Sequence, residues 1–195
     1  MGRIMEQVNG LITGGAEGAG DTEDPSRTIA SERVLNGAIL AADISQSFEE
    51  YLEIFDHFYA EDIVGTTDAM KESVHGKAEV RTRLADFLVP LHVFAEIGGV
   101  SVSIQSSPVR GDRADETHSA WTLQLRGVTG TTCTVTWASR RRWRLGRVVS
   151  EHHYDHRRIG ESLTLGDLRF SPDGIAGDAS TGSAKPQQAV TDPHF

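Results

Sequence analysis

Arg140-Arg141-Arg142-Trp143-Arg144-Leu145-Gly146-Arg147-Val148-Val149-Ser150-Glu151-His152-His153-Tyr154-Asp155-His156 reads as two β-strands joined by a tight turn at Leu145-Gly146. The second strand ends in a run of ionisable side chains. In an unbroken strand successive side chains alternate between faces, so Glu151, His153 and Asp155 share one face and His152, Tyr154 and His156 the other. If the first set lines a cavity, the chain carries an acid/base site. If it meets solvent, the run is a polar strand end.

Working backward from this hairpin, a period of two continues over residues 131–144, 114–125, 100–109 and 93–97, with turns at Gly98-Gly99, Gly111-Asp112 and Gly127 to Gly130. On strand parity Ser119, Trp121, Leu123 and Leu125 face the core and His118 faces outward. Trp137, Arg141 and Trp143 share the core parity of Val135. Before residue 93 the period is helical. Val34, Leu35, Ala38, Ile39 and Ala42 predict an amphipathic helix over 29–43, behind a Ser26 or Ser31 cap. Phe48, Tyr51, Leu52, Phe55, Phe58 and Tyr59 form an aromatic stripe on a second helix ending near Ala60. A short extended segment, Glu61 to Asp68, leads through a loop to a third helix opened by His75-Gly76-Lys77 and closed by Pro90. Three helices followed by a meander predict an α+β domain, a curved, cone-shaped antiparallel sheet packed against three N-terminal helices. Residues 1–28 and 159–195, rich in Gly, Ala, Pro and acidic residues, are expected to be disordered tails around a domain at 29–158.

Composition narrows the partners. A net charge of −9 and a single basic cluster spread over both faces of a strand disfavour a nucleic-acid-binding face. Cys133, the one cysteine, allows neither an internal disulfide nor a cysteine-based zinc site and suits a reducing cytoplasm. No segment reaches the ~18 apolar residues of a membrane span, so no membrane partner is expected. Alternation splits His152 and His156 from His153 and Asp155, so no metal site is expected. No phosphate loop or nucleophile elbow is present, and no cofactor is expected.

The order of these elements resembles the nuclear-transport-factor-2-like superfamily, in its SnoaL-like branch of polyketide cyclases, ketosteroid isomerases and limonene-epoxide hydrolases. The likeness rests on Phe58-Tyr59-Ala60-Glu61-Asp62, His75-Gly76-Lys77-Ala78-Glu79-Val80-Arg81 and the terminal hairpin from Trp143 to Asp155. It implies a pocket between sheet and helices and a homodimer paired through the outer sheet face. It also implies a general base on the last strand, Asp155, or His156 if the register slips by one, with His153 as its neighbour. Steroid isomerases carry an aspartate at the position of Thr67, next to Asp68, and a tyrosine on the first helix that is missing here. Tyr51, Tyr59 and Trp121 are candidates to stack on or donate to a substrate, and Arg141 to clamp a carboxylate on it. The reading is a cofactor-free cyclase or isomerase that abstracts a proton from a hydrophobic, polyketide-like carbonyl compound. Two alternatives stand beside it: a non-catalytic ligand-binding or assembly domain, and an epoxide hydrolase, which requires an Asp-Arg-Asp constellation activating water, of which the sequence offers only Asp155.

Overall fold

The computed structural model describes residues 24–68, 70–96, 100–107 and 111–161, and most of both expected tails lies outside them. Helix α1, Pro25–Ala41, begins inside the segment assigned to the first tail. Asp24 is the reason: its side chain accepts from the Ser26 backbone N–H, and Pro25 supplies a first helical residue with φ already fixed. Helix α2, Glu49–Phe58, buries Tyr51, Leu52, Ile54, Phe55 and Phe58. Strand β1, Tyr59–Thr67, follows without a break, and β2, Met70–His75, pairs with it where a loop is expected from the sequence.

Helix α3, Lys77–Glu96, runs through Pro90 instead of ending there. A proline inside a helix gives up a backbone hydrogen bond at a cost of about 3 kcal/mol. Here Pro90 is exposed, while Leu88 and Leu91 on either side of it are buried and hold the helix to the core. Residues 93–96, expected to start a strand, are therefore the last turn of α3, and Ile97 lies outside the described residues.

Four further strands complete the sheet: β3, Val100–Ser106; β4, Glu116–Gly127; β5, Thr132–Arg144; and β6, Arg147–Gly160. The strand order is β2-β1-β6-β5-β4-β3. The meander is antiparallel as expected, but β1 joins β6 in parallel, so the sheet is mixed. At the β5–β6 turn Leu145 and Gly146 both have positive φ, at 51° and 73°, as a two-residue turn matching the strand twist requires.

The helices cover one face. Helix α1 lies on β3 and β4, α3 on β1, β2 and β3, and α2 against both helices. Leu35, Phe55, Phe58, Ile63, Leu88, Trp143 and Val148 pack between the layers. Full burial of such side chains contributes about 1.5–3 kcal/mol each. As expected from parity, Ser119, Trp121 and Leu123 are buried on this inner face and His118 lies on the outer one. Two bulges interrupt β6. The second places Asp155 and His156 opposite the single residue Trp137, with Asp155 at φ 54°.

Candidate active site

Polar residues on the buried stripe of α1 meet polar residues on the inner face of the sheet. Thr28, Glu32 and Asn36 recur every four residues along α1, with Glu32 at 0% exposure. Opposite them stand Thr117, Ser119 and Arg141, all buried. Arg141 Nη1 donates to Glu32 Oε1 at 2.7 Å and to Asn36 Oδ1 at 3.1 Å. Ser119 Oγ donates to Glu32 Oε1 at 2.8 Å, and Thr117 Oγ1 to Glu32 Oε2 at 3.0 Å. Trp143 Nε1 completes this side by donating to Thr117 Oγ1 at 2.9 Å. A buried carboxylate is tolerable only when paired and hydrogen-bonded, and both oxygens of Glu32 are.

The other edge of the guanidinium faces β6. Arg141 Nε donates to Glu151 Oε1 at 2.6 Å, and the Tyr59 hydroxyl donates to Glu151 Oε2 at 3.1 Å. His153 Nε2 lies 3.1 Å from the same Oε1. Burial by itself would raise the Glu151 carboxyl. The Arg141 charge, then His153 and hydrogen bonds from both, outweigh it and hold Glu151 well below the usual carboxylate range. Burial also pushes the Tyr59 phenol well up, beside the Glu151 carboxylate to which it donates. At neutral pH Glu151 is therefore a fixed anion and Tyr59 a fixed donor.

His153 stands at the edge of this array, with 36% of its side chain exposed against 12% for Glu151. Its ring lies 6.5 Å from Trp137 and 6.4 Å from His156. Trp137 in turn stacks on Trp121 at 6.1 Å and 10°, and the Arg141 guanidinium sits 5.7 Å over the Trp121 ring. Among the described residues two buried donors on this face have no hydrogen-bond partner, Trp121 Nε1 and Ser139 Oγ. Ser139 pairs with His153 across β5 and β6.

Grouping Asp155 with Glu151 and His153 assumes an unbroken strand, and the bulge breaks it. Asp155 is exposed in a left-handed conformation, while His156 takes the place beside His153. Burial, then the neighbouring His153, lowers the His156 pKa. Tyr51 donates to the Ala42 carbonyl at 3.0 Å, and burial raises its phenol to about 12. It belongs to the helix packing and lines a cavity of about 360 Å³ with Leu40, Ile44 and Ile104. Arg141 is inward as parity requires, but the carboxylates it holds are this chain's own. The larger cavity, about 480 Å³, lies on the outer face of the sheet, away from His153. There Asp112, Glu116 and His118 bring one possible ligand atom each within 4.8 Å of one another, a grouping not expected from the sequence. Glu32 and Asn36 likewise belong to no motif of the sequence, although polar residues at i and i+4 on an apolar helix stripe are the pattern that marks a buried network.

No protein-family model and no curated protein matches the chain. Solved structures do resemble it. A protein from Jannaschia assigned as a SnoaL-like polyketide cyclase shares 11% identity at a TM-score of 0.48, over 71% of this chain and 90% of that one. An LEH-like epoxide hydrolase from M. tuberculosis shares 12% identity at 0.46, over 73% and 86%. An NTF2-like protein of unknown function from Cytophaga hutchinsonii shares 13% identity at 0.44, over 68% and 99%. These likenesses concern overall fold alone. The chemistry of the chain has to be read from its own side chains.

Proposed function

We propose that the protein is a cofactor-free acid/base enzyme in which His153 carries the proton and Glu151 orients it, acting on a planar carbonyl compound. The observation that supports this most is the 3.1 Å contact of His153 Nε2 with a carboxylate that is itself immobilised by Arg141 and Tyr59. Holding Nε2–H on Glu151 leaves Nδ1 as the basic nitrogen, the logic by which a buried carboxylate fixes the tautomer of a catalytic histidine. Nδ1 would take a proton from the carbon next to a carbonyl; the C–H electron pair moves to the carbonyl oxygen as an enolate. Return of the proton to a second carbon completes an isomerisation. Alternatively, attack of the enolate carbon on a second carbonyl of the same molecule forms the ring bond as that C=O π pair moves to its oxygen, and the alkoxide takes the proton back from His153 to complete a cyclisation. The Trp121–Trp137 stack suits a flat ring, and Trp121 Nε1 and Ser139 Oγ are donors of the type an enolate oxygen needs.

Incubation of a panel of cyclic diketones and aryl ketones in D2O tests this reading, with proton NMR following exchange next to the carbonyl. At least one bound compound should exchange about 10²-fold or more faster than in buffer. His153→Gln should return it to the buffer rate and Asp155→Asn should leave it unchanged. Compounds that bind without faster exchange would support the binding-domain reading instead.

A second reading is favoured by one observation: Glu32, Arg141 and Glu151 form a carboxylate-guanidinium-carboxylate array, at 2.7 and 2.6 Å, similar to the Asp-Arg-Asp constellation of epoxide hydrolysis but with glutamates in place of both aspartates. Against it, both oxygens of Glu32 already accept from protein donors, so neither is set up to activate water. Diol formation from an epoxide panel would decide for it.

A further inference from the structure

Proton abstraction by His153 leaves its neighbour His156 without a role. In an unbroken strand His156 would stand on the opposite face from His153. The second bulge of β6 cancels that alternation: Asp155 takes φ 54° and, with His156, stands opposite the single residue Trp137. The His156 ring ends 6.4 Å from the His153 ring, at 63° to it, and the Trp137 ring lies 6.5 Å from His153 on the neighbouring strand. Among the described residues neither nitrogen of His156 has a hydrogen-bond or ion-pair partner, whereas His153 Nε2 faces Glu151 at 3.1 Å. His156 is exposed and His153 partly so, which puts both imidazoles on the solvent side of the site.

The separation of the two rings bears on what such a pair can do. A nitrogen that exchanges a proton with carbon must approach it to about 3–3.5 Å. Two such groups on opposite faces of one carbon therefore stand about 6–7 Å apart, and the centroid separation of 6.4 Å lies in that interval. Their surroundings make them unequal. The Glu151 carboxylate stands behind His153 and favours its protonated form, while no carboxylate is bonded to His156, and burial, then the His153 charge, lowers its pKa. His156 is thus the weaker base and, once protonated, the readier donor, so that forming the enolate depends on His153.

We propose that His153 and His156 act on the two faces of one carbon, so that the enzyme inverts the configuration of a stereocentre next to a carbonyl. This activity rests on the acid/base reading and adds an epimerisation to it. His153 Nδ1 takes the proton from one face, and the C–H electron pair forms the C=C bond of the enolate as the carbonyl π pair moves to oxygen. The enolate carbon is flat. A protonated His156 gives its proton to the other face as the oxygen pair returns to re-form C=O. One C–H bond breaks, one forms, and the positive charge passes from His156 to His153, where Glu151 faces it. Exchange with solvent then resets both rings, and the reverse reaction retraces these steps. The substrate class is a carbonyl compound with one substituent and one hydrogen on the neighbouring carbon, held edge-on between the two imidazoles beside Trp137.

Single enantiomers of 2-methyl-1-tetralone and 2-methyl-1-indanone, flat aryl ketones with a lone hydrogen at the stereocentre, test the proposal when incubated with the full chain in D2O. Chiral chromatography follows inversion and proton NMR follows exchange. For at least one of them inversion should run about 10²-fold or more faster than in buffer, with deuterium in the inverted enantiomer. His156→Gln should return inversion to the buffer rate while exchange through His153 continues with configuration retained. The melting temperature should not change, because His156 is exposed. Exchange with retention in the wild type overturns the pairing and leaves the acid/base reading standing, and so does exchange in other ketones when neither chiral one inverts. Inversion that survives His156→Gln overturns the pairing as well. Absence of faster exchange in every compound removes the acid/base reading and the pairing with it.

Discussion

Glu32→Gln is the substitution that most directly probes the buried network. The amide is nearly isosteric, so packing is unchanged and only charge and one acceptor are lost. In the wild type Glu32 takes Arg141 at 2.7 Å, Ser119 at 2.8 Å and Thr117 at 3.0 Å with no exposed surface. The neutral amide weakens a charge-assisted bond to Arg141, of the class that contributes about 1.5–3 kcal/mol. Its NH2 also replaces the acceptor of either Thr117 or Ser119, stranding a buried hydroxyl proton at about 1–3 kcal/mol. Removing one partner of a buried ion pair costs about 3–5 kcal/mol in general, and the two contributions together, about 2.5–6 kcal/mol, centre on that range. With a urea m-value of about 2 kcal/mol/M, the midpoint should fall by roughly 2 M. Near-UV circular dichroism should change with it, because Trp143 is bonded to Thr117. Asp62→Asn serves as the control: Asp62 also meets an arginine, Arg144, at 2.7 Å, but both are more than half exposed. Its midpoint should not move. A loss below about 1 kcal/mol for Glu32→Gln would refute the view that this network anchors α1 to the sheet.

Asp155 sits at φ 54° in the bulge, so Asp155→Gly should be neutral or stabilising, whereas Asp155→Val should cost about 1–2 kcal/mol in chemical denaturation. Acid titration of stability should identify Glu151. Its folded pKa lies below the ordinary 4.5, so its contribution is fully present above that pH and is lost as pH falls toward the folded value. Below about pH 4.5 the stability gap between wild type and Glu151→Gln should therefore narrow, with a limiting slope of about 1.4 kcal/mol per pH unit. A gap that is constant with pH would mean that Glu151 is not held as an anion.

Much of the fold is legible in the sequence because parity and period act locally. Arg141 inward, Trp121 inward and His118 outward all follow from alternation, and they persist because β4 and β5 are paired without a bulge between residues 116 and 126. The readings that differ do so where tertiary structure overrides a local rule. Pro90 is kept in α3 by its buried neighbours Leu88 and Leu91, and β1 turns the sheet mixed by joining β6, a pairing remote in sequence. In the candidate site, the pairing of Glu151 with His153 is visible in strand parity. The exchange of Asp155 for His156 is not, because a bulge depends on the partner strand. Glu32 is the largest omission, since its role needs both the α1 stripe and its placement over β4 and β5.

The protonation of His153 tests the central claim. In wild-type protein labelled with 15N-histidine, long-range 1H–15N spectra of the neutral ring should show His153 protonated on Nε2, facing Glu151, and bare on Nδ1. Glu151→Gln should abolish that preference. A His153 protonated on Nδ1, or one whose tautomer is unchanged in Glu151→Gln, would contradict the account.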